Sequence, residues 1–334
     1  MPVKRKTLAL LVALGLAPGT FVRSEPAPPD YTSPVTIERL DVERLRSGPL
    51  VLDGAWELSS ENDHFGGYSA LVMRPSGEFL AGSDAGRLMH LPRPDRSNAP
   101  PRLAKFLNFE RADKTHVDLE SLTIDPATGT VWAGLEWAQQ IIRFGPKLRR
   151  QSQVRPPEMK DWGSNSGPES LVRLRDGRFV VIEEHSPGHA RHAALLYPSD
   201  PTEGAEPIPF TFLGRPGFRP SDAVVLPNGK IVVLMRGLEL WLPPRFPALL
   251  LILDPADIEA DAEVESRFLA RIEEPFPSDN YEGLAVVDER DGTWSLWLIS
   301  DDNFASYQHT YLLKLRWDLR QKTGGEQARQ KARR

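Results

Sequence analysis

Acidic side chains recur along this chain at nearly even intervals, each time in the same local setting. Five segments lead from a polar cluster into an apolar run: Tyr68-Ser69-Ala70-Leu71, Leu119-Glu120-Ser121-Leu122, Pro168-Glu169-Ser170-Leu171, Ser221-Asp222-Ala223-Val224 and Tyr281-Glu282-Gly283-Leu284. From Ser69 through Glu120, Glu169, Asp222 and Glu282 the steps are 51, 49, 53 and 60 residues. A second series follows the next apolar run, at Asp84, Glu136, Glu184, Arg236 and Asp301-Asp302-Asn303. Carboxylates that converge repel one another and stay ionised only around a cation or a fixed positive side chain. The chemistry on offer is hard oxygen ligation of a divalent cation, Ca²⁺ foremost and Mg²⁺ or Mn²⁺ next, since no Cys is present for a soft site. Glu120, Glu169, Asp222 and Glu282 are the expected ligands, with Glu282 or Glu169 as general base toward water. Asp84, Glu136, Glu184, Arg236, Asp301, Asp302 and Asn303 are the expected substrate contacts, with Arg236 pairing its acidic neighbours or holding an anionic group. An acid at a strand start also has a purely structural use, as a pin that accepts backbone N–H groups of the neighbouring repeat.

The elements that must position these residues are short. Each segment runs into a Gly-centred turn: Pro75-Ser76-Gly77, Asp125-Pro126-Ala127-Thr128-Gly129, Arg175-Asp176-Gly177, Pro227-Asn228-Gly229 and Asp288-Glu289-Arg290-Asp291-Gly292. Gly supplies the positive φ that a tight reversal needs, so these are hairpin turns. The second strands follow at once, as in Phe179-Val180-Val181-Ile182 and Ile231-Val232-Val233-Leu234, too short and too β-branched for helices. A third strand closes each unit, as in Gln140-Ile141-Ile142-Arg143-Phe144 and Tyr311-Leu312-Leu313-Lys314-Leu315. The period is close to the roughly 40 to 50 residues of one four-stranded blade, which predicts an all-β single propeller. Innermost strands line its channel, so one position per repeat becomes a ring of side chains. Fourth strands are harder to place, Arg102-Leu103-Ala104-Lys105-Phe106-Leu107 being a fair candidate. The stretch from Val35 to Leu58 has strand-like pieces but no repeat of its own. It completes the last blade or forms part of a sixth, leaving five or six blades open and closing the ring.

Other motifs carry less. The loop from Glu183 to His192 holds His185, His189 and His192, but Pro187-Gly188 forbids the helix that would align the first two. No Gly-x-Ser-x-Gly elbow accompanies Ser121 or Ser170, which follow their acids within a strand. Trp56, Trp132, Trp137, Trp162, Trp241, Trp294, Trp297 and Trp317 are expected to pack between blades.

Composition agrees with one turn-rich domain: 334 residues with 40% hydrophobic residues, 25 Gly and 31 Pro. Lys4-Arg5-Lys6 followed by the apolar run from Thr7 to Ala17 resembles a signal peptide over 1–24, too short to span a membrane, with a linker over 25–34. The propeller then covers 35–319, and a basic flexible tail 320–334. A periplasmic or secreted location is expected, with no disulfide to stabilise the fold. The net charge of −5 becomes −9 without Lys4, Arg5, Lys6 and Arg23, and −14 without the tail's six cations and one glutamate. So acidic a body argues against nucleic acid and for cations or cation-bridged anions. No transmembrane span is expected, and the chain is read as a monomer with a small-molecule ester or other small ligand as partner.

The run Asn280-Tyr281-Glu282-Gly283-Leu284-Ala285, then Leu296-Trp297-Leu298-Ile299-Ser300-Asp301-Asp302-Asn303-Phe304 and Gln308-His309-Thr310-Tyr311-Leu312-Leu313-Lys314, resembles the closing signature of the phytase-like propeller family, "esterase-like activity of phytase". Phe65-Gly66-Gly67-Tyr68-Ser69-Ala70-Leu71 with Ser83-Asp84, Asp118-Leu119-Glu120-Ser121-Leu122 with Glu136, and Gly167-Pro168-Glu169-Ser170-Leu171 fit it too, over most of residues 60 to 317. The resemblance implies an exported bacterial propeller hydrolysing phosphoric or carboxylic esters. The fourth repeat departs from it with Ser221-Asp222-Ala223, as does the His-bearing loop after Glu184. The residues also allow a non-catalytic ligand-binding propeller of the cell envelope with a structural cation, and a lactonase-like hydrolase.

Overall fold

The computed structural model describes residues 28–106, 118–163, 166–184 and 190–318. The expected signal peptide, the basic tail and the His185 to His189 part of the His-bearing loop lie outside them.

Five antiparallel sheets form five blades. Blade 1 comprises Tyr68–Met73, Glu78–Ser83, Arg87–Pro92 and Arg102–Lys105. Blade 2 comprises Leu119–Ile124, Val131–Leu135, Gln140–Phe144 and Arg150–Val154. Blade 3 is built from Ser170–Arg173, Phe179–Ile182, Arg191–Tyr197 and Ile208–Leu213, with Glu263–Glu265 added in parallel at its edge. Blade 4 contains Phe218–Val225, Ile231–Gly237, Ala248–Leu253 and Arg267–Ile272. Blade 5 takes Asn280–Asp288, Thr293–Asp301 and Thr310–Asp318 from the end of the chain and Leu50–Ser59 and Thr36–Arg39 from its start. The five turn glycines, Gly77, Gly129, Gly177, Gly229 and Gly292, all hold positive φ, as the hairpin reading requires.

The N-terminal stretch therefore completes the last blade, which resolves the choice between five and six. Thr310 pairs with Leu58 and Trp317 with Leu50, so both ends of the chain are hydrogen-bonded into one sheet. Packing reinforces the seam: Trp297 is fully buried and stacked on Trp56 at 5.5 Å, with Phe79 of blade 1 at 4.9 Å. Trp132, Trp162 and Trp294 are buried as expected, whereas Trp137 and Trp241 are exposed.

The innermost strands touch in succession around the ring. At one end they enclose an apolar cavity of about 190 Å³, lined by residues such as Leu71, Leu122, Val172, Ala223 and Leu284. At the other end each strand is disturbed at the same level. Pairing skips one residue between Tyr68 and Ala70, Leu119 and Ser121, Pro220 and Asp222, and Tyr281 and Gly283. The bulged residues are Ser69, Glu120, Ser221 and Glu282, and in blade 3 Glu169 directly precedes its strand. A bulge leaves its residue unpaired and re-aims its side chain, here at the channel.

Candidate acidic channel site

Register decides which acids meet. Asp222 pairs with Leu234, so Ser221, not Asp222, stands where Glu120 and Glu282 stand. One step along a strand turns a side chain to the opposite face. Asp222 is accordingly used as a pin: its Oδ1 accepts the Ala223 N–H and its Oδ2 the Leu284 N–H of blade 5, both at 2.7 Å. Burial pushes its carboxyl well up despite these bonds. The expectation of Asp222 beside Glu120, Glu169 and Glu282 thus gives way to the structural use of an acid. Hydroxyls serve alike elsewhere, Ser69 Oγ donating to the Leu119 carbonyl, Ser121 Oγ to that of Pro168 and Ser221 Oγ to that of Tyr281.

Glu120, Glu169 and Glu282 are buried at the mouth with Glu136 and Glu184 of the second series. Asp118, Glu120 and Glu136 bring carboxylate oxygens within 4.8 Å of one another, and Glu136, Glu169 and Glu184 do the same. Gly167 permits this approach, because a Cβ there would fall 2.3 Å from the Glu136 Cα. Arg236 Nη2 lies 2.7 Å from Glu184 Oε1 and its Nε 3.2 Å from Glu282 Oε1. Arg219, register partner of Arg236, donates to the same Glu184 oxygen at 3.1 Å. Asn280 Nδ2 donates to Glu282 Oε1 at 2.8 Å.

Six carboxyls therefore share two guanidinium groups, and the excess shows in their acidity. Burial, then Glu169, Glu282, Asp118 and Glu136, pushes Glu120 well above the usual range. Burial, Glu184 and Glu136 do the same to Glu169, with Arg236 opposing. Glu136 is pushed up to about 8 by burial, by a hydrogen bond to the Asp118 carboxyl and by the charges of Asp118 and Glu184, against a bond to Glu169. Two carboxyls can hydrogen-bond only if a proton lies between them. Burial weighs against the charge of Arg236, but Glu282, Glu184, Glu169 and Glu120 hold it above its ordinary value.

The rest of the second series does other work. Asp301 is buried, accepts the Asn303 N–H at 2.7 Å, and is pushed up to about 9 by burial and by Glu282. Asp302 locks blade 5 to blade 1: its Oδ1 accepts the Gly67 N–H at 3.0 Å and the Phe304 N–H at 3.1 Å, and its Oδ2 the Thr310 hydroxyl at 3.0 Å. Asn303 is exposed on that turn at φ 47°. Asp84 presses on Gly67, whose positive φ and missing Cβ make room for it. In the His-bearing loop, His192 is buried and its Nδ1–H donates to the Glu184 carbonyl at 3.1 Å.

Sequence reasoning missed Asp118, Arg219 and Asn280. All three stand two residues before the bulge, where blades 1 and 3 have Gly67 and Gly167. Reading the repeat at that column would have found them.

The fold and site define a five-bladed propeller with an acid-lined channel. Over residues 63–304 the sequence matches the phytase-like family, described as "Esterase-like activity of phytase", and the chain belongs to that family. No curated protein matches it in sequence. Similar solved structures include a gluconolactonase from Xanthomonas campestris, 11% identical over 88% of this chain and 100% of that one, TM-score 0.46. Kuenenia stuttgartiensis hydrazine synthase is 13% identical over 71% and 57%, TM-score 0.39. The Cps50 (Swd1) β-propeller domain of Myceliophteria thermophila is 9% identical over 85% and 99%, TM-score 0.40. Among the described residues no helix is long and apolar enough to cross a membrane.

Proposed function

We propose that this protein is an exported, metal-assisted hydrolase of phosphoric or carboxylic esters, acting at the acidic mouth of the channel. The observation that carries the reading is the pair of carboxylate triads that share Glu136. Six acids against two arginines leave an unbalanced negative charge that a divalent cation offsets. An all-carboxylate donor set fits Ca²⁺, with Mg²⁺ or Mn²⁺ as alternatives. Asp118, Glu120, Glu136, Glu169 and Glu184 would hold it. When bound, such a cation polarises an ester oxygen and lowers the pKa of a coordinated water. Arg236 holds Glu184 and Glu282 in place through its ion pairs at 2.7 and 3.2 Å. Glu282, its Oε1 held by Asn280 and Arg236, takes the proton of the attacking water at its other oxygen, with Glu169 as the second candidate. The basic and apolar opening of the sequence supports export.

The test is hydrolysis of p-nitrophenyl phosphate, p-nitrophenyl acetate, inositol hexakisphosphate and a γ-lactone by metal-stripped protein, with and without Ca²⁺ or Mn²⁺, beside Glu282→Gln. Metal-dependent turnover that the substitution abolishes is expected. Calorimetric Ca²⁺ binding without any turnover would leave a ligand-binding propeller with a structural cation; neither binding nor turnover would overturn the reading.

A further inference from the structure

The large apolar side chains left in solvent are concentrated on one face of this ring. Trp137 of blade 2, Leu240, Trp241 and Leu242 of blade 4, and Phe304 and Tyr307 of blade 5 all belong to loops joining the second strand of a blade to its third. Glu136, Arg236 and Asp301 stand where those second strands end, so the loops rim the acidic mouth. Leu240 is 90% and Leu242 100% exposed, so they contribute nothing to the core. Exposed apolar side chains grouped on the loops around a polar pit mark a binding surface.

Phe304 shows that this exposure is enforced. It sits at φ 51° after Asn303 at 47°, a region that bulky side chains rarely enter. Asp302 holds it there through the Phe304 N–H. Its ring lies on the Gly66-Gly67 backbone: a Cβ on Gly67 would come 2.3 Å from Asp84 Oδ1 and 2.7 Å from the ring. The ring is thus set beside an acid of the mouth while 56% of the residue remains in water. Backbone strain of this kind, kept at a site, is associated with ligand contact.

Charge narrows the ligand. Both arginines at the mouth are already paired with Glu184 or Glu282, so a polyanion such as inositol hexakisphosphate meets surplus carboxylate rather than free guanidinium. A neutral ester meets no such repulsion. We propose that the aromatic and leucine rim binds the apolar acyl or alkyl group of a neutral carboxylic ester whose ester linkage reaches the carboxylates below. This deepens the hydrolase reading and rests on it.

The test compares p-nitrophenyl hexanoate with p-nitrophenyl acetate on the full chain with Ca²⁺. A methylene fully lodged on apolar surface contributes about fourfold. The ratio of kcat/KM, hexanoate over acetate, is expected to be at least about tenfold in the unaltered protein. It should fall toward one in the Leu240→Ser/Leu242→Ser double variant and drop at least about threefold in Phe304→Asn. Asn accepts the left-handed backbone, so that change removes the ring and keeps the turn. A ratio near one in the unaltered protein, a ratio unmoved by both variants, or faster cleavage of inositol hexakisphosphate than of either ester overturns the proposal while leaving hydrolysis in place. If no ester is cleaved, the hydrolase reading fails and the rim is judged by tryptophan fluorescence against p-nitrophenyl hexyl ether. Saturable quenching lost in the double variant upholds the rim, and its absence overturns it.

Discussion

Arg236 Nη2 and Glu184 Oε1 meet at 2.7 Å across the boundary between blades 4 and 3, although 52 residues separate them in sequence. The same guanidinium reaches Glu282 of blade 5, so one cation ties three blades at the mouth. Removing one partner of a buried pair leaves the other uncompensated. Arg236→Met is expected to lower stability by roughly 3 kcal/mol at pH 8 in urea unfolding, and by less at pH 5, where the neighbouring acids take up protons. An equal loss at both pH values would assign the effect to packing.

Asp222 and Glu120 differ by one step of register and should differ in kind. Asp222→Ala removes the acceptor of two backbone N–H groups and should cost about 2 to 3 kcal/mol while leaving Ca²⁺ affinity as it is. Glu120→Gln should do the reverse, weakening Ca²⁺ binding about tenfold with little loss of stability in metal-stripped protein. Calorimetry showing equal loss of affinity in both would refute the assignment of Asp222 as a pin.

The raised acidities set a direction for pH. An unfolded chain releases the Glu136 proton near 4.5, but the folded protein keeps it until about 8. Asp301, held to about 9, behaves alike. The unfolded state therefore binds fewer protons across this window, and stability from these groups is complete below about 4.5 and lost as pH rises through 8 to 9. The Tm of metal-stripped protein should fall between pH 5 and 9. Ca²⁺ should raise it more at pH 8 than at pH 5, because protons compete for the same oxygens. A Ca²⁺ shift of equal size at both pH values would show that the cation sits elsewhere.

Deleting residues up to 59 removes Leu50–Ser59, the strand that pairs with Thr310–Asp318, and leaves Trp297 without Trp56. Such a protein should show no cooperative thermal transition and should bind a hydrophobic dye. A sharp transition near that of the full chain would mean that the other four blades suffice.

What could be read from the chain follows from what period and turn chemistry encode. Hairpin turns centred on Gly77 or Asn228-Gly229 are local signals, and they marked every blade. In the second series Asp84, Glu136, Arg236 and Asp301 stand at one level because each lies opposite the residue two before its bulge, Gly67, Asp118, Arg219 and Asn280. Asp222 does not align with Glu120 and Glu282, since the shared bulge falls on Ser221 in blade 4 and the acid stands one residue later, facing the other way. Arg219 escaped because it precedes its bulge in a column that blades 1 and 3 fill with Gly. The fifth blade hid its outer strand at the other end of the chain, where no local repeat announces it.

That last arrangement imposes a schedule. Glu57 and His309 lie 2.8 Å apart in the finished fold and 252 residues apart in the sequence. At a synthesis rate of about 5 to 20 residues per second, a chain waits roughly 12 to 50 s between making the first of them and the second. Through that interval Leu50–Ser59 has Thr36–Arg39 on one side but lacks Thr310–Asp318 on the other, and the ring stays open. Closure of the circle thus waits for Thr310–Asp318, and until that strand is made the seam remains open to capture by a holding chaperone.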